Sequence, residues 1–153
     1  NACFNNPVGV ADNNMIYDNK MTASTDLGSL YKPERGRLNN EYFGFGWCTQ
    51  SCCGNQDWLQ IDLGTTRQIC GVATQGDNQN DSWVIEFKLS FSTDGGGWTF
   101  YRNIDNTEKV FQRIGDGNTV EKHELPTTTS AKFIRFHPVT QNRWNCLRVE
   151  VYE

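Results

Sequence analysis

The chain has 153 residues, enough for one domain with its own core, and Lys+Arg 14 against Asp+Glu 18 gives a formal net charge of −4. That balance excludes electrostatic capture of nucleic acid, which needs a basic stripe. Five Trp, five Tyr and nine Phe exclude a disordered tail, and no run approaches the roughly 18–20 apolar residues of a membrane-spanning helix.

In chain order, residues 25–57 hold Gly, Pro, Asn and aromatics without a period, and a long irregular stretch in a compact domain is usually functional. Residues 58–63 (WLQIDL) alternate with period two and stop at Gly64. Residues 69–75 follow closely enough to form a neighbouring strand. In residues 83–92 Ile85, Phe87, Leu89 and Phe91 make an apolar face, against Val84, Glu86, Lys88 and Ser90. The TDGGG run at 93–97 is a hairpin signal, because its glycines accept positive φ, and residues 98–102 form the return strand. Residues 110–114, 120–125, 132–137 and 147–152 supply further strands. No dozen residues keep apolar side chains at helical spacing, and 16 Asn with 14 Gly suit short turns. The pattern predicts one all-β domain, an antiparallel sandwich or barrel over residues 1–153.

Cys3, Cys48, Cys52, Cys53, Cys70 and Cys146 allow 15 full pairings. Zinc chemistry fits poorly: no Cys-x-x-Cys is present, and His123 and His137 lie far from the cysteine cluster. A disulfide framework in an oxidising compartment is expected, which implies a secreted or extracellular location; reduced thiols are the alternative. The chain opens on Asn1 rather than Met, so a piece of a larger multidomain protein is expected. No nucleophile-elbow motif accompanies a Ser/His/Asp set, so no enzyme is predicted.

The chain resembles the discoidin domain family, which includes the C-type domains of coagulation factors V and VIII. The resemblance lies in Cys3 with Pro7-Val8-Gly9-Val10, Met21-Thr22-Ala23-Ser24, and Arg37-Leu38-Asn39 leading to Trp47. It continues through residues 58–64, 71–76, 91–95 with Trp98, 131–138 and 146–152, in order along almost the whole chain. It implies a jelly-roll β-sandwich of about eight main strands with ligand-binding loops at one end. Members of the family bind phosphatidylserine membranes, collagen, galactose-type sugars or proteins, so the fold does not choose the ligand. The resemblance also implies a Cys48–Cys146 disulfide; Cys3 occupies a family position whose partner falls past Glu153, and Cys52 or Cys53 is then expected to join Cys70. Strand arginines Arg135 and Arg148 are expected to pair with acids such as Asp62 and Glu150.

Three loops are expected to correspond to the family's ligand spikes, residues 25–33 (with Leu30 and Tyr31), 40–47 (with Tyr42, Phe43, Phe45 and Trp47) and 77–82 (with Asn78), and the resemblance implies that a fourth, 141–145 (with Arg143 and Trp144), lies on the same face. Four aromatics within six residues of the second loop follow no strand or helix period; exposed, they stack on sugars or enter a membrane interface, whereas Trp47 suits the core. Arg143 offers forked donors and Trp144 a flat face. No cofactor is required; a structural Ca²⁺ on Asp77, Asn80 and Asp81, or on Asp12, Asn13, Asn14 and Asp18, is a weaker expectation. Asn80-Asp81-Ser82 is an N-glycosylation triplet. The expected function is a non-catalytic adhesion module that binds a glycan or glycoprotein through Tyr42, Phe43, Arg143 and Trp144. The alternatives are anionic phospholipid, with Leu27, Leu30 and Phe43 inserting ahead of Lys32, Arg35 and Arg37, or a matrix protein of collagen type.

Overall fold

The alternation Leu59, Ile61, Leu63 drives three side chains into the core and starts a strand of 17 residues. A computed structural model, describing residues 1–40 and 42–153, shows this strand running on to Gln75; Glu41 of the second loop lies outside the described residues. The strands are β1 (Met21–Ala23), β2 (Trp47–Cys48), β3 (Leu59–Gln75), β4 (Trp83–Ser92), β5 (Thr99–Phe100), β6 (Phe111–Gln112), β7 (Glu121–Asn142) and β8 (Cys146–Tyr152). All named strand pairings are antiparallel.

Two of these strands serve both layers of a sandwich. The first part of β3 pairs with β1 and the far half of β7, and β4 continues that layer to β5 and β6. The last part of β3 pairs with β8 and the near half of β7, and β2 closes that layer beyond β8. The corner lies between Asp62 and Arg67, where the register slips and Gly64 takes φ +84, which a side chain adopts only with strain. A compensating slip follows between Ile69 and Gly71. Leu59, Ile61, Ile69, Val72, Phe87, Leu89, Ile134, Phe136, Leu147 and Val149 are fully buried between the layers. Truncating one of the larger of these to Ala is worth about 2–5 kcal/mol of stability.

The inward face of β4 departs from simple alternation. Val84 is buried and Ile85 is 36% exposed, while Phe87, Leu89 and Phe91 point in as expected. Val84 faces Gln141 and Glu86 faces Thr140, so Ile85 is the extra residue of a β-bulge that reverses the phase.

The disulfides are Cys3–Cys70, Cys48–Cys146 and Cys52–Cys53. Cys48 and Cys146 are register partners of β2 and β8, as the resemblance implied. The pairing of Cys70 with Cys52 or Cys53 is corrected. Cys70 lies in β3 beside the N-terminal 3-10 turn Ala2–Asn5, which delivers Cys3, whereas Asn145 donates to the Cys52 carbonyl at the loop end, 2.7 Å away. The strand arginines also differ. Arg148 donates to the carbonyls of Gly76 and Gly117, Arg135 to Gln60 Oε1, and Glu150 accepts the backbone N–H groups of Gly9, Val10, Ala11 and Val151.

Candidate functional site

The loop end is built on one buried carboxylate. Asp77 Oδ1 accepts the N–H groups of Gln79 (2.8 Å) and Asn80 (3.1 Å) and the Asn80 side-chain amide (3.3 Å). Its Oδ2 accepts the Gly46 N–H at 3.2 Å, so one side chain ties the third loop to the second. The Asn78 N–H donates to the Gly44 carbonyl at 3.0 Å, and Gln79 Nε2 donates to the Phe43 carbonyl. Gly44 has φ +77 and lies against Asn78, where an added Cβ would stand 3.0 Å from the Asn78 Cβ. Burial holds the Arg148 guanidinium below its usual pKa, and the Asp77 charge opposes that shift.

The other two loops are tied to the same base. The Leu27 N–H donates to the Cys48 carbonyl and the Cys48 N–H to the Tyr31 carbonyl. Trp144 Nε1 donates to the Thr49 carbonyl at 2.7 Å, and Asn142 Nδ2 to the Asp81 carbonyl at 2.9 Å. Trp47 is fully buried, with its Nε1 donating to the Thr25 carbonyl, and plugs the sandwich end.

On this base stands an aromatic ridge. Tyr31 and Phe45 meet edge to face at 5.6 Å, Phe45 and Tyr42 lie 6.3 Å apart, and Tyr42 and Phe43 5.5 Å apart. The Arg35 guanidinium lies 3.5 Å from the Tyr42 ring centre. Phe43 at the tip is 71% exposed, with Tyr42, Leu27 and Leu30 also exposed. Beside the ridge an open cleft of about 220 Å³ is lined by Leu27, Tyr31, Asn80, Ser82, Arg143 and Trp144, with the Cys48–Cys146 disulfide beneath. That volume falls below the roughly 300–1,000 Å³ of drug-sized pockets and suits one small ring. Arg143 is exposed, and its guanidinium has no hydrogen-bond partner among the described residues.

The structure thus gathers Tyr31, Asn80, Arg143 and Trp144 around the cleft and Tyr42, Phe43 and Phe45 along the ridge. Tyr31, Phe45 and Trp144 are half-buried; Leu30 and Asn78 are exposed at the rim. Of the oxygens expected to face a cation, both on Asp77 accept N–H groups, and the Asp81 backbone carbonyl accepts from Asn142. Of the basic residues placed behind the tip, Arg37 is buried on the Val10 carbonyl and Asp18, and Lys32 lies 3.3 Å from Asp26. Reading the sequence missed the clasping role of Asp77 and the Arg35–Tyr42 stack. The Asp-x-x-Asn turn spacing hinted at the first; a separation of seven positions, in a stretch whose sequence shows no period, concealed the second.

A β-sandwich that concentrates its irregular segments on one tied-down loop face, with rings and a guanidinium there, has the architecture of a binding module. The chain belongs to the F5/8 type C domain family, whose sequence model matches residues 20–151. It is 35% identical to mouse (Mus musculus) lactadherin over 95% of this chain and 32% of that protein. Human (Homo sapiens) neuropilin-2 is 30% identical over 97% of this chain and 16% of its own length. The chain therefore spans about a third or less of these relatives. Among solved structures, discoidin II of Dictyostelium discoideum superposes with a TM-score of 0.78 at 22% identity, covering 92% of this chain and 55% of that one. The family 32 carbohydrate-binding module of C. perfringens NanJ, solved with galactose, gives a TM-score of 0.69 at 13% identity, covering 97% and 98%. These likenesses carry the fold.

Proposed function

We propose that this is a non-catalytic recognition module of an extracellular protein that binds a carbohydrate or glycoprotein at its loop end. The observation that carries the reading is the cleft itself, where the exposed Arg143 guanidinium, with no hydrogen-bond partner among the described residues, the Asn80 side chain and the rings of Tyr31 and Trp144 surround a volume of one small ring. Polar donors beside aromatic faces are the combination that holds a sugar by hydrogen bonds and stacking. A module of this fold solved with galactose gives the reading a precedent. Three disulfides support an extracellular setting. No cofactor enters the reading, since the Asp77 oxygens are committed to N–H donors. Ser90 Oγ and His137 Nε2 lie 2.7 Å apart, but Ser90 is buried in β4, which supports a structural rather than catalytic pair.

Phospholipid binding is the second reading, favoured by the exposed apolar tip of Leu27, Leu30 and Phe43. It is weakened because Arg37 is buried on Asp18 and Lys32 lies beside Asp26, so that of the three basic residues behind that tip only Arg35, stacked on Tyr42, has no ion pair among the described residues. A glycan array followed by calorimetric titration tests the first reading, with Arg143→Ala expected to lose binding. Sedimentation with phosphatidylserine vesicles but no response to any glycan would overturn it.

A further inference from the structure

Far from the loop end, the outer face of the β1–β3–β7–β4 layer carries a second arrangement of rings and charge. The Arg135 guanidinium lies 3.9 Å from the centre of the Trp58 ring and 3.8 Å from that of Trp98, held between two indoles. Its Nε donates to Gln60 Oε1 at 3.0 Å. Neither Nη atom has a hydrogen-bond partner among the described residues. Acids on the same layer are already engaged: Asp62 faces Lys20, Glu108 faces Lys88 at 2.9 Å, and Asp57 accepts from Ser24 and Thr25. Lys132 lies close by, 5.1 Å from the ring of Phe133, and Phe133 in turn packs edge to face on Trp98.

Stacking occupies the two faces of a guanidinium and leaves its N–H groups pointing outward in the plane, where a planar or tetrahedral anion meets the fork bidentately. The rings fix the fork in place, so little side-chain freedom is lost on binding. We propose that the Trp58–Arg135–Trp98 clamp is a second binding site, which takes the carboxylate or sulfate group of an acidic glycan. Arg135 and Arg143 are eight positions apart along β7 and its following turn, on the order of 25 Å of extended chain, so the two sites are separate. The site therefore stands whether or not the loop end binds sugar.

The test is calorimetric titration of the whole chain with three probes: chondroitin sulfate oligosaccharides, hyaluronan oligosaccharides, which carry carboxylate alone, and neutral dextran. Binding of the first two, or of the sulfated probe only, supports the clamp and says which anion it holds; dextran is expected to give nothing. Arg135→Gln is expected to weaken binding at least tenfold. Arg135→Lys, which keeps the charge and loses the fork, recovers little of it, and its thermal midpoint checks the fold independently. Lys122→Gln removes one exposed charge elsewhere and stays within twofold. The proposal is overturned if no acidic probe binds, if Arg135→Gln binds like wild type, or if Lys122→Gln loses as much as Arg135→Gln.

Discussion

Removing the disulfides one at a time, by paired Cys→Ala substitution, separates their contributions. Cys48–Cys146 spans 98 positions of chain and Cys3–Cys70 spans 67, whereas Cys52–Cys53 joins neighbours. By loop-closure entropy each long bridge raises the free energy of the unfolded chain by about 4.5 kcal/mol, and the vicinal bridge by about 1 kcal/mol. Cys48 and Cys146 are also buried, so Ala at both leaves unfilled space and adds to the loss. For a chain of this length 1 kcal/mol moves the melting temperature by about 2–4 °C. The Cys48→Ala/Cys146→Ala protein is therefore expected to melt roughly 10–15 °C below wild type, and Cys52→Ala/Cys53→Ala only about 2–4 °C below. Urea titration monitored by Trp fluorescence gives the free energies directly. Its slope should rise in the Cys48/Cys146 variant as the unfolded chain expands. A loss within 1 kcal/mol on removing Cys48–Cys146, or an equal loss on removing Cys52–Cys53, refutes the reasoning.

Burial holds His123 and His137 at about 4, below the ordinary 6.5. Their folded-state pKa is depressed, so the stability tied to the neutral rings is complete above about pH 6.5 and drains as pH falls towards 4. The loss is on the order of 2 kcal/mol for each ring by pH 5; a melting temperature unchanged between pH 7 and 5 contradicts it. Asp77→Ala leaves the N–H groups of Gly46, Gln79 and Asn80 without their acceptor and is expected to cost about 2–4 kcal/mol, while EDTA leaves wild-type melting unchanged. A rise of several degrees on adding calcium would show a cation at these oxygens instead.

The strands were legible because their signal is local. Period-two runs such as Leu59, Ile61, Leu63 and Phe87, Leu89, Phe91 state their burial directly, and they bury as read. Where the reading failed, a second chain segment decided the outcome. Ile85 turns outward because β7 lacks a residue to face it, a fact held in the register and not in β4. Arg148 was expected to seek an acid, but buried carbonyls of Gly76 and Gly117 needed donors. Cys70 was misassigned because pairing depends on which segment the corner of β3 brings near, and that segment is the N-terminal turn. The loop aromatics were legible as a group, since four rings among glycines fit no regular element. Their order along the ridge and the Arg35 stack on Tyr42 are set by how the irregular chain folds back on itself, with Asp77 tying the second loop to the third.

The backbone at the loop end carries strain that stability alone does not explain. Phe43 has φ +59 and Arg143 φ +65, a left-handed conformation costing a side chain about 1–2 kcal/mol. Elsewhere the chain meets the same demand with residues that tolerate it, Gly44 and Gly95 or Asn39 and Asn106. Phe43 and Arg143 have no such tolerance, yet both are exposed, so packing does not require their side chains. Comparing Gly with Ala at each position isolates the backbone term, because neither retains the side chain. Phe43→Gly and Arg143→Gly are each expected to be more stable than the corresponding Ala protein by about 1 kcal/mol, by urea titration. Ser130→Gly, on an exposed strand position, is expected to be less stable than Ser130→Ala. If Gly and Ala are equal at 43 and 143, the strain is absent. If Gly wins there and both variants lose the glycan, the bulky residues are kept for what they touch outside the protein.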